Sequence, residues 1–184
     1  MSVMALRMPQ ALRRYARDRR GVSAVEFALL APLMIGLYLG CAEISDGVAA
    51  DRKVSLIAAT LANLTSQVST ISTSEMTNIL DASTAIAAPY AASKLKMSVT
   101  CLNIGSNGQA TVKWSVTRNG TVKSGVLSIP SALAVPNSQL IFAETSYAYT
   151  PTVGYTITGT LTLSDQMYMA PRITAPTYGS TACT

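Results

Sequence analysis

Arg19-Arg20-Gly21-Val22-Ser23-Ala24-Val25-Glu26-Phe27, running directly into the apolar stretch from Ala28 to Ala42, decides how the rest of this chain is read. Two arginines and a glycine stand before a hydrophobic run, and one carboxylate interrupts it five residues past the glycine. No charge occurs from Phe27 to Ala42, and a helix taken from Val22 with Glu26 inside it has about the twenty residues needed to span a bilayer. A carboxylate held deep in lipid costs about 2–3 kcal/mol and therefore marks a function. At the headgroup boundary it stays hydrated and costs little. Spacing alone leaves both placements open.

The charges sort the compartments. The 184 residues carry a formal net charge of +5. Residues 1–21 hold Arg7, Arg13, Arg14, Arg17, Arg19 and Arg20 against the single acid Asp18, so the whole excess lies ahead of the apolar run and residues 22–184 are neutral. A basic block before an apolar helix keeps its own side cytoplasmic and sends the remainder across. The basicity is therefore no sign of nucleic-acid binding, because the part beyond residue 21 has no basic face with interleaved aromatics. The chain has no histidine, which removes His-based acid–base chemistry, His metal ligation and Ser–His or Cys–His nucleophiles. The expectation is a non-enzyme without cofactor or metal.

Within the run, Pro32 lacks an N–H and is expected to kink or locally open the helix. Gly36 and Gly40, four apart, either form a small-residue face for close helix packing in lipid or reflect only an Ala/Gly-rich composition. Past the membrane length the helical pattern goes on: Val54, Ile57, Ala58, Leu61, Leu64 and Val68 recur on one face. One long helix from about Val22 to Val68 is expected, interrupted at most near Ser45-Asp46-Gly47. Ser72-Thr73-Ser74-Glu75 then reads as a capping box, with Ile71 and Met76 placed as a hydrophobic staple and Pro89 beyond the end.

A glycine, four residues, a glutamate and an aromatic behind a basic leader resemble the prepilin cleavage motif in the form used by TadE-like pseudopilins of tight-adherence (Flp-type) pili. The resemblance covers Arg19 to Phe27. It implies that a prepilin peptidase cuts between Gly21 and Val22, and that Glu26, at the fifth position of the processed chain, pairs with the terminal amine of a neighbouring subunit. The implied partners are that peptidase, other pilin subunits, the pilus assembly platform and the inner membrane. The implied domains are a leader over 1–21, a transmembrane helix over 22–45 and a periplasmic or extracellular domain over 46–184. Unlike the major pilins of such pili, this chain is long, and Phe27 stands where a tyrosine is usual, which points to a minor pseudopilin. Tyr147-Ala148-Tyr149-Thr150-Pro151 and Met167-Tyr168-Met169-Ala170-Pro171-Arg172 resemble closing segments of the same family; cross-strand packing explains those tyrosines equally well. Asp81-Ala82-Ser83-Thr84-Ala85 resembles the metal motif of a larger relative, but the last serine is missing and the segment is helical, so no metal site is expected there.

From Lys94 the period falls to two. Leu95, Met97, Val99 and Cys101 alternate with polar residues, as do Ala110, Val112, Trp114 and Val116, giving two half-buried strands. Ser106-Asn107-Gly108 is a turn, Asn119-Gly120 signals a tight hairpin, and Thr121–Ile129 offers a third strand. Pro130 and Pro136 bracket a loop. Gln139–Thr150 and Tyr155–Ser164 are the last strands, the latter with threonines along one side. The expected fold is α+β and pilin-like: a long N-terminal helix, half transmembrane, a short helix, and an antiparallel sheet of four to five strands with one wet face.

Cys101 lies on an apolar strand face and Cys183 is next to last. A bridge between them in an oxidising compartment is one reading, two unpaired thiols the other. Two further routes of export compete with prepilin processing. Leu39-Gly40-Cys41 is a poor lipobox because Tyr38 replaces an aliphatic residue, and Val48-Ala49-Ala50 offers small residues for cleavage that releases a periplasmic binding or envelope protein from Asp51. First residues of Val22, Cys41 and Asp51 distinguish the three.

Overall fold

The computed structural model describes residues 20–152 and 159–184, and of Arg20 only the backbone. Arg19 and the rest of the basic leader lie outside it, as does Tyr155 at the head of the expected last strand. The chain divides into two compact units at Ala42/Glu43.

Helix α1 runs from Arg20 to Ser66 without interruption, through Pro32 and through Ser45-Asp46-Gly47. Good helix formers on either side of Gly47, Ala42 and Glu43 before it and Ala49, Ala50, Arg52, Lys53 and Leu56 after it, carry the helix across that glycine. No residue of its most apolar stretch is buried, and α1 is long and apolar enough to cross a membrane. In the second unit the same helix turns amphipathic. Ala50, Val54, Ile57, Ala58, Leu61 and Ala62 are buried, the spacing that puts one stripe of a helix against a sheet. The amide of Arg172 donates to the Ser66 carbonyl at 2.9 Å and satisfies the end of the helix.

Helix α2 (Thr73–Ile86) begins at the capping box: Ser72 Oγ accepts from the Glu75 amide, and the Ser72 amide donates to Glu75 Oε2 at 2.8 Å. Donation from the Ser72 amide, and then from the Ser72 hydroxyl, to Glu75 Oε2 holds the Glu75 carboxyl below the usual carboxylate range. Ile71 and Met76 are both buried in the same cluster, as a staple requires. At its other end Lys53 Nζ, reaching from α1, donates to the Ile86 and Ala88 carbonyls. The two helices are thus tied by a cation on orphan C-terminal carbonyls.

The named strands are β1 (Thr70–Ile71), β2 (Leu95–Ile104), β3 (Ala110–Arg118), β4 (Val126–Leu127), β5 (Ser138–Tyr149), β6 (Leu161–Met169) and β7 (Thr177–Tyr178). Five of them form one antiparallel sheet in the order β4-β3-β2-β5-β6. β1 and β7 form a separate parallel pair, a long-range contact that no local pattern announces. The α+β expectation holds, with five strands.

Four details differ from the sequence reading. Across from the register shift at Cys101/Leu102, Trp114 pairs with Cys101 and Val112 with Leu102, so Lys113 is an extra residue on β3 and the strand changes face there. Trp114 and Val116 join the core under the helices, while Ala110 and Val112 join a second cluster around Leu102, Ile104, Leu140 and Phe142 on the opposite face. That face is not simply wet: Thr100 is fully buried, and Leu127 and Ile129, ahead of Pro130, with Leu133 from the proline-bracketed loop, pack against the cluster there. The third strand shrinks to Val126–Leu127, which pairs with Thr111 and Ala110 at the far end of β3. Asn119-Gly120 consequently opens a long connection instead of a two-residue hairpin. Its Asn119 sits at φ 55° with Nδ2 donating to the Leu95 carbonyl at 3.0 Å. Of the strand expected at Tyr155–Ser164, residues 155–158 lie outside the described residues, and β6 extends beyond Ser164 to Met169.

Cys101 and Cys183 are joined in a disulfide with Cα atoms 5.9 Å apart, and both residues are fully buried. The bridge, the Trp114 Nε1–H donated to the Pro176 carbonyl at 3.0 Å, and the β1–β7 pair together hold the C-terminal segment. Cys41, exposed on α1, is outside the bridge.

Candidate functional site: the head of helix α1 and the Asp46 clamp

Gly21 falls in the first turn of α1, and nothing lies within 4 Å of where a Cβ would stand on it. Val22, Glu26 and Phe27 follow as exposed residues, Phe27 with 68% of its surface open. An exposed phenylalanine among Val25, Leu29, Leu30 and Leu33, all more than half exposed, is unfavourable in water at about 25 cal/mol per Å². It is the natural surface of a helix in lipid or against other helices. At 100° per residue Val22, Glu26, Gly36 and Gly40 fall within about 40° of one line along the helix, with Leu29 and Leu33 between them. One stripe therefore carries the carboxylate, the residue four before it and both glycines. Around Gly36 and Gly40 the space within 4 Å is open as well among the described residues, so the face is shaped for close approach.

Of the other residues singled out by sequence, Cys101 and Cys183 are brought together, away from the helix head. Asp81, in the segment resembling a metal motif, instead pairs with Arg118, and Ser83 Oγ donates to the Ile79 carbonyl. Among the described residues no group of acids and cysteines is placed to hold a metal.

A feature absent from the sequence reading lies in the second unit where α1 passes Asp46. Tyr149 Oη donates to Asp46 Oδ2 at 3.0 Å, and Tyr90 Oη donates to Asp46 Oδ1 at 2.9 Å. Tyr90 also stacks obliquely on Tyr147 at 5.8 Å. A Cβ on Gly47 would stand in ordinary van der Waals contact with the Tyr149 ring, at 3.6 Å, so the approach does not require the glycine. Asp46-Gly47, which reads as a possible helix break, is thus the point where the sheet grips the helix. The only local signal was an acid beside a glycine in a helical pattern.

Burial first, then donation to Asp46 and the nearness of its charge, push both Tyr90 and Tyr149 up to about 12. A phenol raised on folding stabilises fully below its unfolded value near 10, and that stabilisation is lost as pH rises toward 12. Stability should accordingly be insensitive to these groups below pH 10 and fall between 10 and 12. Ultraviolet titration of tyrosinate should show a late component that shrinks in Asp46→Asn. A late component of unchanged size in that variant would show that Asp46 contributes nothing.

Comparison with curated proteins and with solved structures gave no match. The family model described as TadE-like protein matches residues 21–62, which take in the glycine, the carboxylate, the apolar run and the part of α1 packed in the core, and over that segment the chain is similar to that family.

Proposed function

We propose that this chain is a minor pseudopilin of a tight-adherence (Flp-type) pilus, a structural component and not an enzyme, acting in assembly or initiation of the fibre and so in surface attachment. The observation that carries the reading is the five-residue step from Gly21 to Glu26 at the head of an exposed apolar helix, inside the segment that matches the TadE-like family.

In this reading the arginine-rich leader stays in the cytoplasm, and a prepilin peptidase cuts after Gly21 and leaves an ammonium on Val22. The helix then spans the inner membrane and the disulfide-bonded domain lies in the periplasm, where a buried bridge persists. Glu26 meets the ammonium of a neighbouring subunit. An ion in lipid is tolerable only when an opposite charge compensates its lost hydration, and processing creates that partner. The Gly36/Gly40 face lets subunit helices pack against one another and against the assembly platform. Cleavage after Ala50 fits less well, because that bond lies within a continuous helix and Ala50 is itself buried.

Sequencing the processed protein extracted from membranes tests the proposal. Val22 is the expected first residue; Cys41 would indicate a lipoprotein, and Asp51 a released periplasmic protein.

A further inference from the structure

On the face of the sheet turned away from the helices, the connection after β3 arches over β2 and β5. It is pinned by Asn119 Nδ2 on the Leu95 carbonyl at 3.0 Å and by the Lys123 amide on Ser115 Oγ at 3.2 Å. Beneath it is a cleft of about 180 Å³ lined by Lys96, Ser98, Thr121, Lys123, Glu144 and Ser146 among others. Lys123 Nζ and Glu144 Oε2 pair across it at 2.8 Å. Lys96 is exposed and has no ion pair among the described residues. Ser98, only 5% exposed, has an Oγ with no hydrogen-bond partner among them, an unusual state for a buried hydroxyl.

Pairing register extends the site. Gln166 stands opposite Glu144 on β6, and Tyr168 stands next along, opposite Phe142 and stacked on it at 4.7 Å. Burial first, and then the charge of Glu144, push the Tyr168 phenol above its usual range, with Lys123 acting in the opposite direction. A partly buried aromatic ring thus stands diagonally across the strand pair from Glu144, which lines a cleft that also holds a cation without an ion pair and several hydroxyls.

We infer that this cleft binds a carboxylated sugar residue, a uronate, of a surface polysaccharide. Lys96 takes the carboxylate, Glu144 and Ser146 take ring hydroxyls, and Tyr168 offers its face to the ring. A neutral hexose leaves Lys96 unmatched. A bare anion gains nothing from Glu144, whose charge repels it. A ligand with one negative group and several hydroxyl donors satisfies both. The inference does not depend on leader processing or on pilus assembly.

Saturation-transfer NMR titrations of the full chain in detergent, using sodium glucuronate, glucose and sodium acetate as probes, test it. Glucuronate should bind at least about fivefold more tightly than either glucose or acetate. Lys96→Gln, at an exposed position, should weaken glucuronate binding about five- to tenfold, while Lys113→Gln, outside the cleft, leaves it unchanged. Equal binding of glucose, equal binding of acetate, the same loss in Lys113→Gln, no effect of Lys96→Gln, or no glucuronate binding each overturns the assignment.

Discussion

Glu26→Ala is expected to abolish fibre assembly while leaving cleavage after Gly21 largely intact. The scissile bond and the basic residues before it are untouched by the change, and the helix should tolerate alanine, the best helix former. What disappears is the opposite charge that the proposed pairing supplies to a neighbouring subunit's ammonium. Removing one member of an ion pair out of water typically costs about 3–5 kcal/mol, because the survivor is left uncompensated. That corresponds to more than two orders of magnitude in an association constant. Glu26→Gln should fail similarly, since it keeps the shape and loses the charge. Electron microscopy of cells carrying each variant, together with N-terminal sequencing of the membrane protein, checks both halves. Normal piliation in Glu26→Ala removes the pairing role, and an unprocessed chain places Glu26 in recognition by the peptidase instead.

The second large effect concerns the domain. Cys101→Ala with Cys183→Ala opens a loop with a sequence separation of 82 residues. The chain-entropy model assigns a loop of that length about 4 kcal/mol. A domain of this size has about 5–15 kcal/mol in total, so much of its margin goes. The melting temperature should fall by about 10–15 °C, read by circular dichroism on matched detergent samples. The double variant should also expose the C-terminal segment to protease before the core melts, because noncovalent ties, among them Trp114–Pro176 and the two-residue β1–β7 pair, are then all that hold it. A melting temperature unchanged within a few degrees would mean that the unfolded chain is already constrained, or that the native bridge is strained.

Much of this fold is legible locally. The long helix follows from a periodic apolar pattern that no proline cluster interrupts, and α2 follows from Ser72 and Glu75, whose reciprocal bonds need only a three-residue spacing. β2 and β5 follow from composition and alternation. What sequence periodicity misreads is whatever depends on a distant partner. Lys113 looks like an ordinary outward residue until β2 pairs with β3 and leaves it unmatched. The threonines of the expected last strand suggested a wet face, yet the sheet takes its pairing from Leu161 onward, where β5 supplies a partner for each residue through Met169. Thr70–Ile71 is too short to read as a strand, and becomes one only because Thr177–Tyr178 returns beside it. The helix head was readable for the opposite reason: its message is a linear motif, glycine to carboxylate, that needs no fold to be recognised. The Asp46 clamp was not, since its tyrosines come from residues 44 and 103 positions away.

The extra lysine in β3 has a wider consequence. A strand that obeyed strict alternation would commit all of its large side chains to one interior, and every substitution along it would act on the same packing. Here the N-terminal part of β3 serves the pocket of hydrophobes beneath the proline-rich segment, and the C-terminal part serves the interior beneath the helices. Changes in the segments packed on residues 110–112 can therefore be absorbed there without disturbing Trp114, whose indole holds the tail at Pro176, so the two hydrophobic clusters tolerate substitution independently of one another.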